Sequence, residues 1–158
     1  MKALRPLIAG WLALTLSAGC TGARAHTPPA IRYGESACAE CRMLINEARF
    51  AVTAVTNSGE PVAFDSTECL VRYLQRGGQS LATIWVHDYA GSRWMLADQA
   101  FYVASSELAT PMGQGIVAVG SESEARALAA QVHGQVVTFA QLPTLIRRVA
   151  AANETRSE

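Results

Sequence analysis

Pro61-Val62-Ala63-Phe64-Asp65-Ser66-Thr67-Glu68-Cys69 reads as a strand running straight into the start of a helix. Pro61 to Phe64 is short and apolar. Asp65 or Ser66 then offers a side-chain oxygen to the unpaired N–H groups of a first helical turn. Glu68 stands where the acid of a capping box is expected. The helix runs on to about Arg76, with Leu70, Tyr73 and Leu74 on one face, and Gly77-Gly78 stops it. Upstream, Arg49 to Thr56 carries the β-branched and aromatic residues of a strand, and Asn57-Ser58-Gly59 signals the turn that brings Pro61 to Phe64 back beside it. Downstream, Thr83 to Tyr89 reads as a third strand.

The second half of the chain repeats this order. Phe101 to Val103 and Ile116 to Val119 are strand-like, and Gly120-Ser121-Glu122-Ser123-Glu124 again offers a cap with an acid behind it. Ala125, Leu128, Ala129 and Val132 form the apolar stripe of a helix that Gly134 ends, and Gln135 to Phe139 is the next strand. Val62-Ala63-Phe64-Asp65-Ser66 therefore lines up with Val117-Ala118-Val119-Gly120-Ser121. The expected fold class is α+β: two similar ββαβ units in tandem, residues 36–90 and 91–152, joined near Ala90-Gly91-Ser92. A C-terminal helix from Leu142 to Ala152 closes the second unit, with Pro143 tolerated in its first turn. The polar residues 153–158 are expected to fray.

The chain has 158 residues, 13 Lys+Arg against 13 Asp+Glu, half of it hydrophobic and 16% charged. Zero net charge and the lack of a basic stripe argue against nucleic acid as a partner. Four cysteines are too few for a disulfide scaffold. Residues 1–20 read as an export signal: Lys2 and Arg5, an apolar run from Leu7 to Leu16, then Leu16-Ser17-Ala18-Gly19-Cys20. Small residues directly before a cysteine resemble a bacterial lipobox, which makes Cys20 a lipidation site. Cleavage after Ala23-Arg24-Ala25 is the competing reading. Thr21 after the cysteine favours the outer membrane over the inner one, and residues 21–35 form a tether.

The chemistry lies in sulfur. Cys38-Ala39-Glu40-Cys41-Arg42-Met43 brings two thiols and a thioether together, and Cys69 lies in the first turn of the expected helix, whose N-terminus would favour its thiolate. Soft sulfur ligands suit Cu(I), which needs only two or three of them. Zinc usually takes four ligands and would need His87, Asp65 or another side chain as well. A Cys38–Cys41 disulfide, structural or redox-active, is the third option. Met112 lies in the loop Thr110-Pro111-Met112-Gly113-Gln114-Gly115, as either a ligand or a packing residue. Met95 reads as core, His87 as a packed or surface histidine, His133 as part of a helix cap, and His26 as a tether residue without a role. No paired carboxylates, Ser-His-Asp set or phosphate loop marks an enzyme.

The lipobox, Cys38 to Met43, Phe64 to Cys69, and Thr110 to Gly113, in that order, resemble the NosL family of nitrous oxide reductase accessory lipoproteins. The resemblance runs from about Ser36 to Phe139. It implies two ββαβ units and a periplasm-facing Cu(I) chaperone, not an enzyme. The expected partners are nitrous oxide reductase and the machinery that matures its copper centres. Cys38, Cys41, Met43, Cys69 and Met112 match the family's motif positions. Some members place histidine after the Met-Gly pair, where this chain has Gln114. The enzymatic rival is a thiol–disulfide oxidoreductase using Cys38 and Cys41, and the structural rival is a zinc-stabilised interaction module.

Overall fold

The computed structural model describes residues 27–156, apart from Ser92. The first unit holds β1 (Val52–Thr56), β2 (Pro61–Phe64), α1 (Thr67–Gln75), β3 (Leu81–His87) and β4 (Trp94–Leu96). The second holds β5 (Phe101–Ala104), β6 (Ile116–Val119), α2 (Glu122–Gln131) and β7 (Gln135–Val137), followed by α3 (Leu142–Arg156). The ββαβ repeat is present in both. In each the first strand lies in the middle: the sheets run β2-β1-β3-β4 and β6-β5-β7, and every pairing is antiparallel.

Several details depart from the sequence reading. β7 stops at Val137, with Phe139 in a 3₁₀ turn (Phe139–Gln141), and α3 runs on to Arg156 through residues expected to fray. Arg49 and Phe50 belong to a 3₁₀ turn, Ala48–Phe50, and not to a strand. There the Arg49 guanidinium covers the Phe50 and Tyr89 rings, at 4.8 and 5.4 Å from their centroids, and Phe50 is buried. β3 starts and ends two residues earlier than expected. The Asp88 N–H donates to the Arg93 carbonyl (3.0 Å) and Arg93 Nε to Asp88 Oδ2 (3.2 Å), closing a turn. That turn delivers β4, an added strand that pairs with β3 in the register Trp85↔Leu96 and His87↔Trp94.

The helices start and stop by local chemistry. Ser66 caps α1, its Oγ accepting from the Cys69 N–H (3.3 Å), and Ser121 caps α2, accepting from Glu124 (3.2 Å). Such a cap contributes about 1 kcal/mol. α1 ends with Gly78 N–H on the Tyr73 carbonyl and Gly77 N–H on Leu74, with Gly77 at φ 77°. α2 ends the same way, with Gly134 N–H on Ala129, but the left-handed position is held by His133 at φ 47°. Its Nδ1 lies 2.9 Å from Glu107 Oε1.

One core runs through both units. Val52, Ala54, Phe64, Leu70 and Val86 of the first pack in a single cluster with Tyr102, Ile116, Ala118, Leu142 and Ile146 of the second. A smaller cluster under α2 gathers Phe50, Val103, Val117, Val119, Ala125 and Ala129. Backbone and side chain also cross between the units: the Tyr89 N–H donates to the Ala118 carbonyl (2.9 Å), and Gln75 Nε2 donates to the Pro143 carbonyl (2.8 Å).

Candidate metal centre

Cys38 to Met43 form the tip of a small antiparallel hairpin. Ala37 bridges Leu44, the Cys38 N–H donates to the Met43 carbonyl (2.8 Å), and the Arg42 N–H donates to the Cys38 carbonyl (3.1 Å). The tight return places Arg42 at φ 67°, a left-handed conformation uncommon for a residue with a Cβ. The Ala39 N–H reaches the Ala63 carbonyl (2.9 Å), which fastens the tip to β2 just before α1 begins. Cys69 meets the tip from the first turn of α1.

The three sulfurs Cys38 Sγ, Cys41 Sγ and Cys69 Sγ all lie within 4.8 Å of one another, and all three are free thiols. Cys38 and Cys69 are fully buried; Cys41 is partly open to solvent. A triad this close, with one member reachable, is the geometry of a low-coordinate sulfur site. No histidine or carboxylate joins the group among the described residues.

The charge in the triad has a definite place. Cys38 is held down at about 5, first because Cys69 donates its thiol hydrogen bond to it. The backbone N–H groups of Cys41, Asp65 and Glu40 also point at Cys38, against the opposing effect of burial. Cys69 is pushed up for the reciprocal reason, with burial adding to it. The helix start was expected to make Cys69 the thiolate; the hydrogen bonds collected by Cys38 reverse that assignment. Burial chiefly raises Cys41, and the charge on Cys38 adds to this. Asp65, also buried, is raised by desolvation and then by Cys38, Glu47 and Glu68, so the pocket already favours a cation.

Met43 is 55% exposed on the same hairpin, beside exposed Leu44. With Leu44, Asn46, Glu47, Asp65 and Pro111 it lines a shallow pocket of about 180 Å³. Pro111 carries the second unit's loop to the hairpin. Met112 follows it, half-buried against the shared core. The loop turns at Thr110-Pro111-Met112-Gly113, closed by the Gly113 N–H on the Thr110 carbonyl (2.9 Å).

Other sequence candidates take packing roles. His87 is buried with its ring edge-on to Trp94 at 4.8 Å, and Met95 is half-buried in β4. Gln114 is buried, with its Oε1 unpartnered among the described residues. Cys20, the leader and His26 lie outside the described residues. Among those described, no helix is long and apolar enough to cross a membrane.

Sequence reading treated Glu68 as a capping-box acid. α1 begins at Thr67, so the third helical residue is Cys69, and Glu68 turns away from Ser66. It is fully buried, and its Oε1 accepts from Thr110 Oγ1 (2.7 Å) and the Ile116 N–H (3.3 Å). Sequence carries no signal for this, since Arg72 stands four residues on, where a helical ion pair would keep Glu68 at the surface.

Comparison with known proteins agrees with this architecture. The copper-binding lipoprotein NosL of Stutzerimonas stutzeri is 28% identical over 169 residues, covering 96% of this chain and 89% of that protein. The crystal structure of the copper chaperone NosL from Shewanella denitrificans shares the fold at a TM-score of 0.63 and 23% identity, over 73% of this chain and 94% of that one. The sequence model of the NosL family matches residues 30–146, from before the hairpin into α3, and this chain belongs to that family.

Proposed function

We propose that the chain is a Cu(I) carrier, a binding protein and not an enzyme. The observation that carries this reading is the convergence of Cys38, Cys41 and Cys69 within 4.8 Å, with a partly exposed thiol at the rim. Cu(I) is satisfied by two or three sulfurs, whereas a closed zinc site takes four ligands. A carrier must let an incoming ligand attack the bound ion. Cys41 and the exposed Met43 thioether provide that opening, and exposed Leu44 next to Met43 offers an apolar contact for an acceptor. The relatives named as copper-binding lipoprotein and copper chaperone support the choice of metal. The Cys-x-x-Cys stretch sits in a hairpin turn, not at a helix start, which speaks against a thioredoxin-like oxidoreductase.

The ligand set is Cys38, Cys41 and Cys69, with Met43 and Met112 as the thioethers that complete or relay the site. The acceptor is the machinery that matures the copper centres of nitrous oxide reductase. Lipidated Cys20 anchors the chain to a membrane, facing the periplasm, with the outer membrane favoured by Thr21.

Anaerobic competition for Cu(I) against a chromophoric chelator tests the reading, with zinc in parallel. The reduced chain should bind close to one Cu(I), and the Cys38→Ser/Cys41→Ser variant should lose tight binding. Unchanged affinity in that variant, or tight zinc with weak copper, would overturn it.

A further inference from the structure

We propose that Glu68 is a positioning residue for the metal: its buried carboxylate fastens the Met112 loop of the second unit to the start of α1, the helix turn that bears Cys69. The inference rests on the carrier reading above and extends it to a residue that binds nothing itself.

The clamp is a single oxygen. Glu68 Oε1 accepts from Thr110 Oγ1 (2.7 Å) at one end of the loop and from the Ile116 N–H (3.3 Å) at the other. Thr110 Oγ1 in turn accepts from the Gly115 N–H (3.0 Å). Both ends of the segment from Thr110 to Ile116, which carries Pro111 and Met112, are thus held by the residue next to Cys69. Pro111 in that loop lines the same pocket as Met43 and Asp65. The turn is well suited to being held: proline is favoured as the second residue of a tight turn. Gly113 and Gly115 take φ 67° where a side chain would be strained.

Stability alone does not account for this arrangement. Glu68 is 0% exposed, and its Oε2 has no hydrogen-bond partner among the described residues. A buried carboxylate with one bare oxygen costs free energy, and apolar replacements of buried charges are commonly neutral or stabilising. What the carboxylate supplies is a fixed distance between α1, which bears Cys69, and the loop, which bears Met112. Residues that orient metal ligands without touching the metal typically change affinity by roughly 10–100-fold when removed.

The test is Cu(I) affinity by anaerobic chelator competition for Glu68→Ala, Glu68→Gln and Thr110→Val, each in the parent and in a Met112→Leu background. Circular dichroism confirms folding. Glu68→Ala and Thr110→Val should weaken binding by roughly tenfold or more in the parent and add no further loss in Met112→Leu. Glu68→Gln keeps the acceptor oxygen and should restore most of the affinity. An equal loss in both backgrounds, folded variants that bind as the parent does, or a Met112→Leu chain with parental affinity would overturn the proposal. If Glu68→Ala does not fold, Thr110→Val decides the question. If the parent itself takes no Cu(I), the carrier reading fails and this one with it; if the parent binds and the variants are without effect, only the positioning role falls.

Discussion

Cys38 illustrates how much a single side chain depends on donors that sequence does not display. Three backbone N–H groups and the Cys69 thiol converge on its sulfur, and together they outweigh burial. Its pKa is lowered in the folded state, so above about 5 the folded, metal-free chain holds fewer protons at this site than the unfolded one. This persists up to the ordinary thiol value of about 8.5. Between those limits the Cys38 contribution to stability rises with pH, and it is lost as pH falls through about 5. Thiolate absorbance near 240 nm, titrated anaerobically on the metal-free protein, should show one group deprotonating near pH 5. Cys38→Ser should remove that step, and Cys69→Ala should move it upward by removing the chief donor. A titration with no step below pH 7 would contradict the arrangement of hydrogen bonds.

At the scale of elements, the two helix ends make a natural comparison. α1 stops with Gly77 in the left-handed position, whereas α2 stops with His133 there, at φ 47°. His133→Gly should therefore stabilise the fold by about 0.5–1 kcal/mol, since the strain relieved exceeds the exposed contact with Glu107 that is lost. A melting curve checks the sign; a lowered midpoint would mean that the Glu107 contact dominates. Gly115→Ala should act in the opposite direction. Its φ is 67°, and a Cβ there would collide with the Ser105 carbonyl, so a loss of about 1–3 kcal/mol is expected, read from denaturant unfolding. Most elements were legible because their signals are local: the Ser66 and Ser121 caps, Gly77-Gly78, the Asn57-Ser58-Gly59 turn and the repeated strand-to-helix step. β4 was not. Trp94-Met95-Leu96 is too short to carry a periodic signal, and it becomes a strand only because the Asp88–Arg93 turn lays it against β3.

At the scale of the whole molecule, the thiols were legible as candidates, but their convergence was not. Spacing alone could not say that the hairpin tip is fastened to β2, nor that Glu68 reaches across 42 residues to Thr110. The shared core, with Leu70 and Phe64 packed beside Tyr102, Ile116 and Leu142, predicts one cooperative transition. Trp85 and Trp94 fluorescence, which reports the first sheet, and far-UV dichroism, which also reports α2 and α3, should give coincident denaturation curves. Two separated midpoints would show that the units fold independently.

That common core also makes the site all-or-none. The hairpin brings its own two thiols, but Cys69 is added only when α1 has docked, and the Met112 loop only when the second unit has closed over it. On the carrier reading, a chain still emerging or half-assembled offers no finished trap for a toxic ion. Loading then works as a proof of completion, because the cargo can be held only by a molecule that has already become itself.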